Sequence, residues 1–530
     1  MARTTTIRKY GRSTRKQTAE ILFAQLPKTP VKSNSEAELE PEPEPQSAGK
    51  TELDLGAVPA DEPLAKFKKR QGQSGLVVAG EVTQNGQELR EGHEAELPRG
   101  AEGSEPEAET EAEESVYDDL RVLTWADICP PGARIEKIAE ASYAEVYRIT
   151  NEHGTSIIKV VRLQSPIKPQ TKAQERSGLV DEEPHSEEDM QGELRISEWL
   201  AGIPGFVVYK EQYVVQGKAP KVLLETHQAF HRRMKRKDPD RLQFYPSPSR
   251  YLDDTRFLVV ELGDAGTALE DFKLTSISQV WDIFLHTALA LARAEDLIEF
   301  EHRDLHEGNL CIRRVCSPAT PERFAASPYR FGHSGLDITI LDYGLSRATN
   351  PEPTSPAAAP APAPAIVAYD LEKDLSLFQS THAPQCRIYR QMRSFLIHHD
   401  RIVPSTHQHH VTGTTTTPYP VSPATGEPIS WRAYHPYTNV LWLAYLYAYM
   451  VKHFAGDVKD LKGFRRETRE LWAHLDPGAP AGVLSFPSAG EVVRFAVEAG
   501  WVGESQVVDD GSGGEGYSFL SVVSAATRVG

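Results

Sequence analysis

The chain of 530 residues carries 58 basic and 75 acidic side chains, a formal charge of −17 and four cysteines. Its length is ample to bury a large core. Cys129, Cys311, Cys316 and Cys386 form no CxxC pair and no histidine is spaced to complete a zinc site, which excludes a disulfide scaffold and a structural zinc module. No apolar run reaches membrane length and none near the start reads as an export signal, so neither membrane anchoring nor secretion is expected, and reduced thiols inside a cell fit best.

Residues 1–16 form a basic arm (Arg3, Arg8, Lys9, Arg12, Arg15, Lys16), followed by stretches at 36–62 and 91–119 rich in glutamate, proline and small residues. Such composition cannot bury enough apolar surface to offset the entropy of ordering, so residues 1–119 are expected to be disordered. A basic arm on an acidic protein suits nuclear import and weak, salt-sensitive contact with DNA phosphates. The folded part is expected to begin near Val122-Leu123-Thr124-Trp125.

Lys137 to Tyr147 has the shape of a loop between two strands, and Ser156-Ile157-Ile158-Lys159 reads as a third strand ending in a cation. Residues 188–201 predict a helix anchored by Leu194, Trp199 and Leu200, with Glu193 and Glu198 as acids of which Glu193 is the better partner for Lys159. Residues 257–261 form a buried-strand pattern leading into Leu262-Gly263-Asp264, and 277–299 a long apolar helix. Just after that helix comes His302-Arg303-Asp304-Leu305-His306-Glu307-Gly308-Asn309, and later Ile338-Thr339-Ile340-Leu341-Asp342-Tyr343-Gly344.

These two motifs supply what phosphoryl transfer needs. That reaction asks little covalent chemistry of a protein and rests on orienting a hydroxyl and neutralising phosphate charge with metal ions. Asp304 is expected to orient the hydroxyl and take its proton, and Asn309 and Asp342 each to hold a magnesium ion against the phosphates of ATP. Lys159, held by an acid on the helix that follows it, would meet the phosphates, the Lys137–Tyr147 loop would cover them, and the 257–263 strand would serve as a hinge touching adenine through its backbone. Alanines at 139, 141 and 144 stand where glycines would let the loop approach a phosphate most closely.

Low-complexity stretches interrupt this core at about 316–335, 350–366 and 400–430, and a loose Gly/Ser/acid-rich tail is expected from 502 to 530. The Pro/Ala-rich run at 350–366 should be an exposed insertion in the activation segment. His407, His409 and His410 read as a solvated loop rather than a metal site. No internal repeat and no second folded domain is apparent.

The surroundings narrow the class. Leu341-Asp342-Tyr343-Gly344-Leu345-Ser346-Arg347, then Asp370-Leu371-Glu372-Lys373-Asp374-Leu375-Ser376-Leu377-Phe378, then Ile388-Tyr389-Arg390-Gln391-Met392, then His435-Pro436-Tyr437-Thr438-Asn439-Val440-Leu441-Trp442-Leu443 follow in an order that resembles the haspin family of atypical serine/threonine protein kinases. The resemblance covers roughly residues 120–475, is that of a divergent fungal-type member, and includes the lack of an APE segment. It implies an α+β, two-lobed protein-kinase fold, with a β-rich N-lobe at 120–262 and a helical C-lobe at 263–501. It also implies a monomeric enzyme of the nucleus and mitotic chromosomes that uses ATP and magnesium to phosphorylate a threonine in the histone H3 tail on chromatin.

Carried over residue by residue, the resemblance assigns Lys159, Glu193, Arg303 and Asp304 to catalysis, Asn309 and Asp342 to metal, and Ile138, Ala139, Val146, Lys159, Glu261 and Gly263 to the nucleotide. Glu270 matches one acidic position that receives the basic tail, whereas Ala268 and Arg387 stand where the family has acids, and Ile157 stands where it has a small residue. The arm begins Ala2-Arg3-Thr4 after the initiator and later reads Lys16-Gln17-Thr18-Ala19, two pieces of the H3 sequence ARTKQTA, so Thr4 is a candidate for autophosphorylation or pseudosubstrate binding. Two other readings stay open: a pseudokinase serving as a chromatin scaffold, given the alanine loop and Ile157, and a small-molecule kinase of the aminoglycoside-phosphotransferase type, given the DLHEGN sequence.

Overall fold

A computed structural model describes residues 120–507, except 141–143, 153, 177–186, 240–244, 351–364, 382, 400, 402–418, 424 and 481. The expectations for the arm with Thr4, the acidic stretches, the Pro/Ala run at 351–364, the histidines 407, 409 and 410, and the tail beyond 507 lie outside these residues.

The N-terminal half is built on six strands: β1 (Val122–Thr124), β2 (Arg134–Glu140), β3 (Glu145–Asn151), β4 (Gly154–Arg162), β5 (Tyr209–Gln216) and β6 (Arg256–Gly263). Their spatial order is β1-β5-β6-β4-β3-β2, antiparallel throughout except for the parallel β1–β5 pair. Strand alternation gives the two faces of β4 different work. Ile158 and Val160 join Tyr147 and Val259 in one apolar layer. On the other face lie Ile157, Lys159 and Val161, with Val146 and Val260 directly opposite Lys159 on the neighbouring strands. There Val161 and Val260 pack with Met190 and Leu194 of helix α1 (Glu187–Leu200), the helix expected at 188–201.

Helix α2 (Lys221–Lys237), unforeseen in the sequence, packs over β2 and closes a buried charge cluster. The fully enclosed Lys137 lies 2.9 Å from Glu140, 3.2 Å from His227 Nδ1, and in direct contact with Glu145. His227 lies 3.0 Å from Glu145, His231 3.2 Å from Glu140, and the Tyr251 hydroxyl donates to Glu145. Burial alone would raise the Glu145 carboxyl, but Lys137 and His227 outweigh it and hold the group at about 2. The rings of Phe230 and Tyr245, 5.2 and 5.5 Å from the ammonium, complete its enclosure.

The C-terminal half is helical around a three-stranded sheet of β7 (Thr267–Ala268), β8 (Leu310–Arg314) and β9 (Leu336–Ile340). Helix α3 (Ile277–Ile298) is apolar almost all round and is the buried axis of this half, as its sequence requires. The Gln279 side chain caps its start by accepting from Ser276 N, and it stops where Glu299 turns left-handed at φ 45°. The strands β10 (Arg347–Thr349) and β11 (Ile366–Ala368) pair after the metal motif. Then come α4 (Gln385–His398), α5 (Tyr437–His453), α6 (Val458–Glu467), α7 (Arg469–Leu475) and α8 (Ala489–Glu498). Trp281 of α3 meets Phe464 of α6 and Trp501, with ring centres 4.8 and 4.9 Å apart. This is the expected α+β, two-lobed arrangement. No described helix is long and apolar enough to cross a membrane, and the four cysteines are free.

Residues 316–335, the low-complexity stretch between the two motifs, hold a short helix, Pro321–Ala326, and their end is bolted to the core. The buried Asp282 carboxylate accepts from the backbone N–H of Gly332 and Ser334 and from the Ser334 hydroxyl, and the Trp501 carbonyl accepts from Arg330 and Phe331. A buried acceptor can order a polar segment as firmly as apolar burial does.

Replacing Lys137 by Met removes the ammonium that touches both Glu140 and Glu145, so two buried carboxylates lose that partner. The expected cost is about 3–5 kcal/mol in denaturant unfolding of the full chain. Because the Glu145 carboxyl is held below its unfolded value, the stability it contributes is present above pH 4.5 and lost as pH falls towards 2. The Met variant should lose that acid-side dependence; an unchanged midpoint and acid profile would show that the cluster contributes nothing.

Candidate active site

The loop from Phe300 to Asn309 leaves the end of α3 and is held from below by buried polar groups. Glu301, wholly enclosed, accepts from His435 N at 2.6 Å, from the Thr438 hydroxyl at 3.1 Å and from Arg303 Nε at 3.2 Å. Asn439, at the start of α5, accepts from His302 N with its Oδ1 and donates through Nδ2 to Glu295 and to the Phe300 carbonyl. Glu295 also accepts from Ala489 N and Gly490 N at the start of α8. Three helices thus converge on one loop.

His302 joins this loop to the second motif. Its Nδ1 accepts from Asp304 N at 3.1 Å, so the ring proton sits on Nε2, which donates to the Leu341 carbonyl at 3.0 Å. Burial lowers the imidazole to about 4, keeping it neutral and in that tautomer near pH 7. Leu341 N donates to the Asn309 carbonyl at 2.9 Å, which closes the link between the two motifs. Arg303 and Asp342 are both left-handed, at φ 73° and 65°, a strain that the surrounding bonds maintain.

The groups for chemistry meet in the cleft between the lobes. Asp304 is 1% exposed; its carbonyl accepts from Asn309 Nδ2 at 2.9 Å, and its Oδ1 accepts from the Tyr389 hydroxyl at 2.8 Å. Because the Asn309 amide nitrogen donates inward, its Oδ1 is the atom that would serve a cation. Lys159 pairs with Glu193 of α1 at 2.5 Å, with both side chains close to nine-tenths buried. Burial lowers the lysine, and the Asp342 carboxylate, close enough to act on it, opposes that shift. Glu198 is exposed on the opposite turn, which decides between the two glutamates. Gly308 is required by space: a side chain there would meet the His306 ring at 2.7 Å.

Lys159, Glu193, Asp304, Asn309 and Asp342 therefore share one cleft. Ile138 lies at a register shift in β2, with Ala139 beside it opposite Val146 of β3, so these three flank the covering loop. Gly263 ends β6 and donates to the Val208 carbonyl, and the crossing to the lower lobe runs through Asp264, which pairs with Arg148 and accepts from Gly266 N. Glu270 is exposed and its N–H donates to the Glu307 carbonyl, at the rim of the catalytic loop.

The Glu261 side chain stands opposite Ile158, on the face of the sheet away from Lys159, and engages the Ser156 hydroxyl and Lys210, so the adenine contact expected of this hinge strand falls to its backbone. One assignment is corrected. Arg303 does not reach the reacting groups. It is fully buried, bonded to Glu301 and the Trp431 carbonyl, and acts by positioning the loop. Sequence reasoning left Tyr389, Glu301 and Asn439 without roles, although Tyr389 and Asn439 lie in segments it had marked; their partners are far away along the chain.

Similarity to known proteins agrees with this geometry. A family profile described as Haspin like kinase domain matches residues 112–486, more than half of the chain. The chain is similar to the serine/threonine-protein kinase haspin homolog hrk1 of Schizosaccharomyces pombe, 25% identical over 381 residues that cover 68% of this chain and 64% of that protein. It is 26% identical to mouse serine/threonine-protein kinase haspin over 362 residues, 68% of this chain and 41% of the mouse protein. It is also 26% identical to the Drosophila haspin homolog over 318 residues, 59% of this chain and 47% of the fly protein. The chain thus spans less than two thirds of the length of these relatives.

Ile157 stands two residues before Lys159 on the same strand face, opposite Leu262 where the sheet meets the hinge, the side on which adenine is expected. Replacing it by Ala is expected to tighten ATP binding by about ten-fold, the effect of a methylene or two in a close-fitting pocket. Calorimetric titration checks this, and equal or weaker binding would show that Ile157 does not bound the slot.

Proposed function

Because this chain belongs to the haspin-like kinase family, we propose that it transfers the γ-phosphate of ATP to a serine or threonine hydroxyl, and specifically to a threonine in the basic tail of histone H3 during mitosis. The observation that carries the catalytic part is the convergence of Asp304, Asn309 and Asp342 with the Lys159–Glu193 pair in one cleft. The donor set of an amide oxygen and a carboxylate is the hard-oxygen chemistry magnesium takes, so these residues fit that ion. Bound there, magnesium would neutralise the phosphates.

In that cleft Lys159, kept in place by Glu193, binds phosphate oxygens. Asp304 orients the acceptor hydroxyl and takes its proton while the hydroxyl oxygen bonds to the γ-phosphorus, the bond to the bridging oxygen breaks and ADP leaves. His302 and Arg303 keep the loop in register and touch no reacting atom.

The choice of a basic tail rests on charge at the rim. Glu270, Asp271 and Glu307 gather beside Tyr449, whose hydroxyl is raised to about 12 by burial and then by these three acids. Tyr445 holds Glu307 at 2.5 Å. Ala268 and the exposed Arg387 thin this acidic surface, so selectivity for the tail should lean on Glu270 and its neighbours. A nuclear, chromosome-associated monomer that meets chromatin, with the arm giving weak DNA contact, is part of the same proposal. Ile157 and the alanine loop favour one competing reading, a pseudokinase that holds chromatin partners without transfer.

Magnesium and radiolabelled ATP, offered with an H3-tail peptide, its Thr→Ala version and an aminoglycoside, separate these readings. Label is expected in the first peptide alone; label in none supports the pseudokinase, and label in the sugar a small-molecule kinase. Asp304→Asn should lower turnover by at least about 100-fold with little effect on folding, and Lys159→Ala should weaken ATP use. Normal turnover by Asp304→Asn would overturn the mechanism.

A further inference from the structure

The carboxylate proposed as proton acceptor is held by a residue outside both catalytic motifs. We infer that Tyr389 is a positioning residue for Asp304, acting through the hydrogen bond its phenol donates to Oδ1; this rests on the role given to Asp304 above. The bond spans 2.8 Å between two side chains that are each 1% exposed and 85 residues apart in sequence.

Loop and helix divide the task. The Asp304 backbone is set by its own loop, its N–H donating to His302 and its carbonyl accepting from Asn309 and His306 N. Those bonds leave the side-chain torsions unset, and Tyr389 acts on the side chain itself. Tyr389 sits on α4 with its ring centre 5.5 Å from that of Trp442. The helix is fixed in turn by Arg393, which grips Glu372 through two bonds of 2.8 and 2.9 Å, and by Arg390, which donates to the Ser380 carbonyl.

A buried phenol costs free energy unless partnered, and Phe would fill the same volume without that cost. Here the phenol is paired with the catalytic carboxylate. An oxygen that accepts such a bond is the poorer base, so the substrate proton goes to Oδ2, and the carboxylate keeps one rotamer through the reaction. Positional errors of this kind are costly in rate, because a near-attack geometry depends on them.

Tyr389→Phe in the full chain keeps the ring and removes the donor. Peptide phosphorylation should show kcat lower by about ten-fold with KM for ATP unchanged, the pattern of a group acting on the transferring hydroxyl rather than on nucleotide. Tyr389→His, which restores a donor, should recover part of the rate. In an Asp304→Asn background Tyr389→Phe should change the residual rate less than about two-fold, because the group it acts through has been altered. A kcat within two-fold of the parent, or the same fractional loss in both backgrounds, overturns the inference. So does a fall in thermal stability with kcat per folded molecule unchanged, which marks a structural role. If Tyr389→Phe does not fold, the rate of Tyr389→His relative to the parent decides alone, a parent-like KM for ATP with lowered kcat supporting it and parent-like kcat rejecting it. If Asp304→Asn turns over normally, the mechanism proposed above fails, an outcome distinct from a normal Tyr389→Phe beside an inactive Asp304→Asn.

Discussion

The buried carboxylate of Glu301 is the constraint on which the site depends. A charge taken fully out of water is tolerated only when donors surround it, and here they come from three places: the backbone at His435, the hydroxyl of Thr438 and the guanidinium of Arg303. Meeting that requirement brings the start of α5 against the end of α3 and forces Arg303 inward. Once Arg303 is inside, its left-handed backbone turns the chain so that His302 faces the metal motif and Asp304 faces the cleft. The arginine's charge is met within the lobe by Glu301 and the Trp431 carbonyl. A loop held this way has its geometry supplied by the core of the C-lobe.

A second buried charge does comparable work above the cleft. Lys137, Glu140 and Glu145 stand at the two roots of the phosphate-covering loop, and α2 presses His227 and His231 onto them. Glycine at the loop positions would give freedom; alanine there costs reach but loses less entropy when ordered. The nucleotide side and the hydroxyl side of the cleft are therefore each braced by ionic groups that solvent does not screen.

Residues whose spacing is set by the reaction were legible in the sequence. Asp304 and Asn309 share one loop and Asp342 ends the strand bonded to it, so their separation along the chain carries the proposed chemistry with it. Lys159 followed from its place at the end of a strand. The choice between Glu193 and Glu198 is a matter of helix face: Glu193 lies on the side that pairs with Lys159, and Glu198 is exposed. Strand alternation puts the Glu261 side chain behind the sheet, with Ile158, and leaves to its backbone the hinge role that its place in the chain suggests. Arg303 was misread because its type suits catalysis and only the partners reveal its role. The order in residues 316–335 was hidden because its acceptor, Asp282, lies about fifty residues away. Tyr389 and Asn439 share that property: a side chain whose purpose is set by a distant partner leaves no local pattern.

The departures from the family pattern fall on recognition and spare the reacting groups. Ile157 lies on the Lys159 face of the sheet and Ala268 and Arg387 stand where the family has acids, but the Lys159–Glu193 pair and the bond from Asn309 to the Asp304 carbonyl remain in place. Such a division is what energetics favours. A missing contact at the rim costs affinity in a screened, wet setting, where each charge counts for little. A displaced carboxylate inside the cleft costs transition-state stabilisation, which no rim contact restores. Glu301, Asn439 and Tyr389 guard the second kind of loss, and the packing of α4 and α5 around the loop is the means by which they do it.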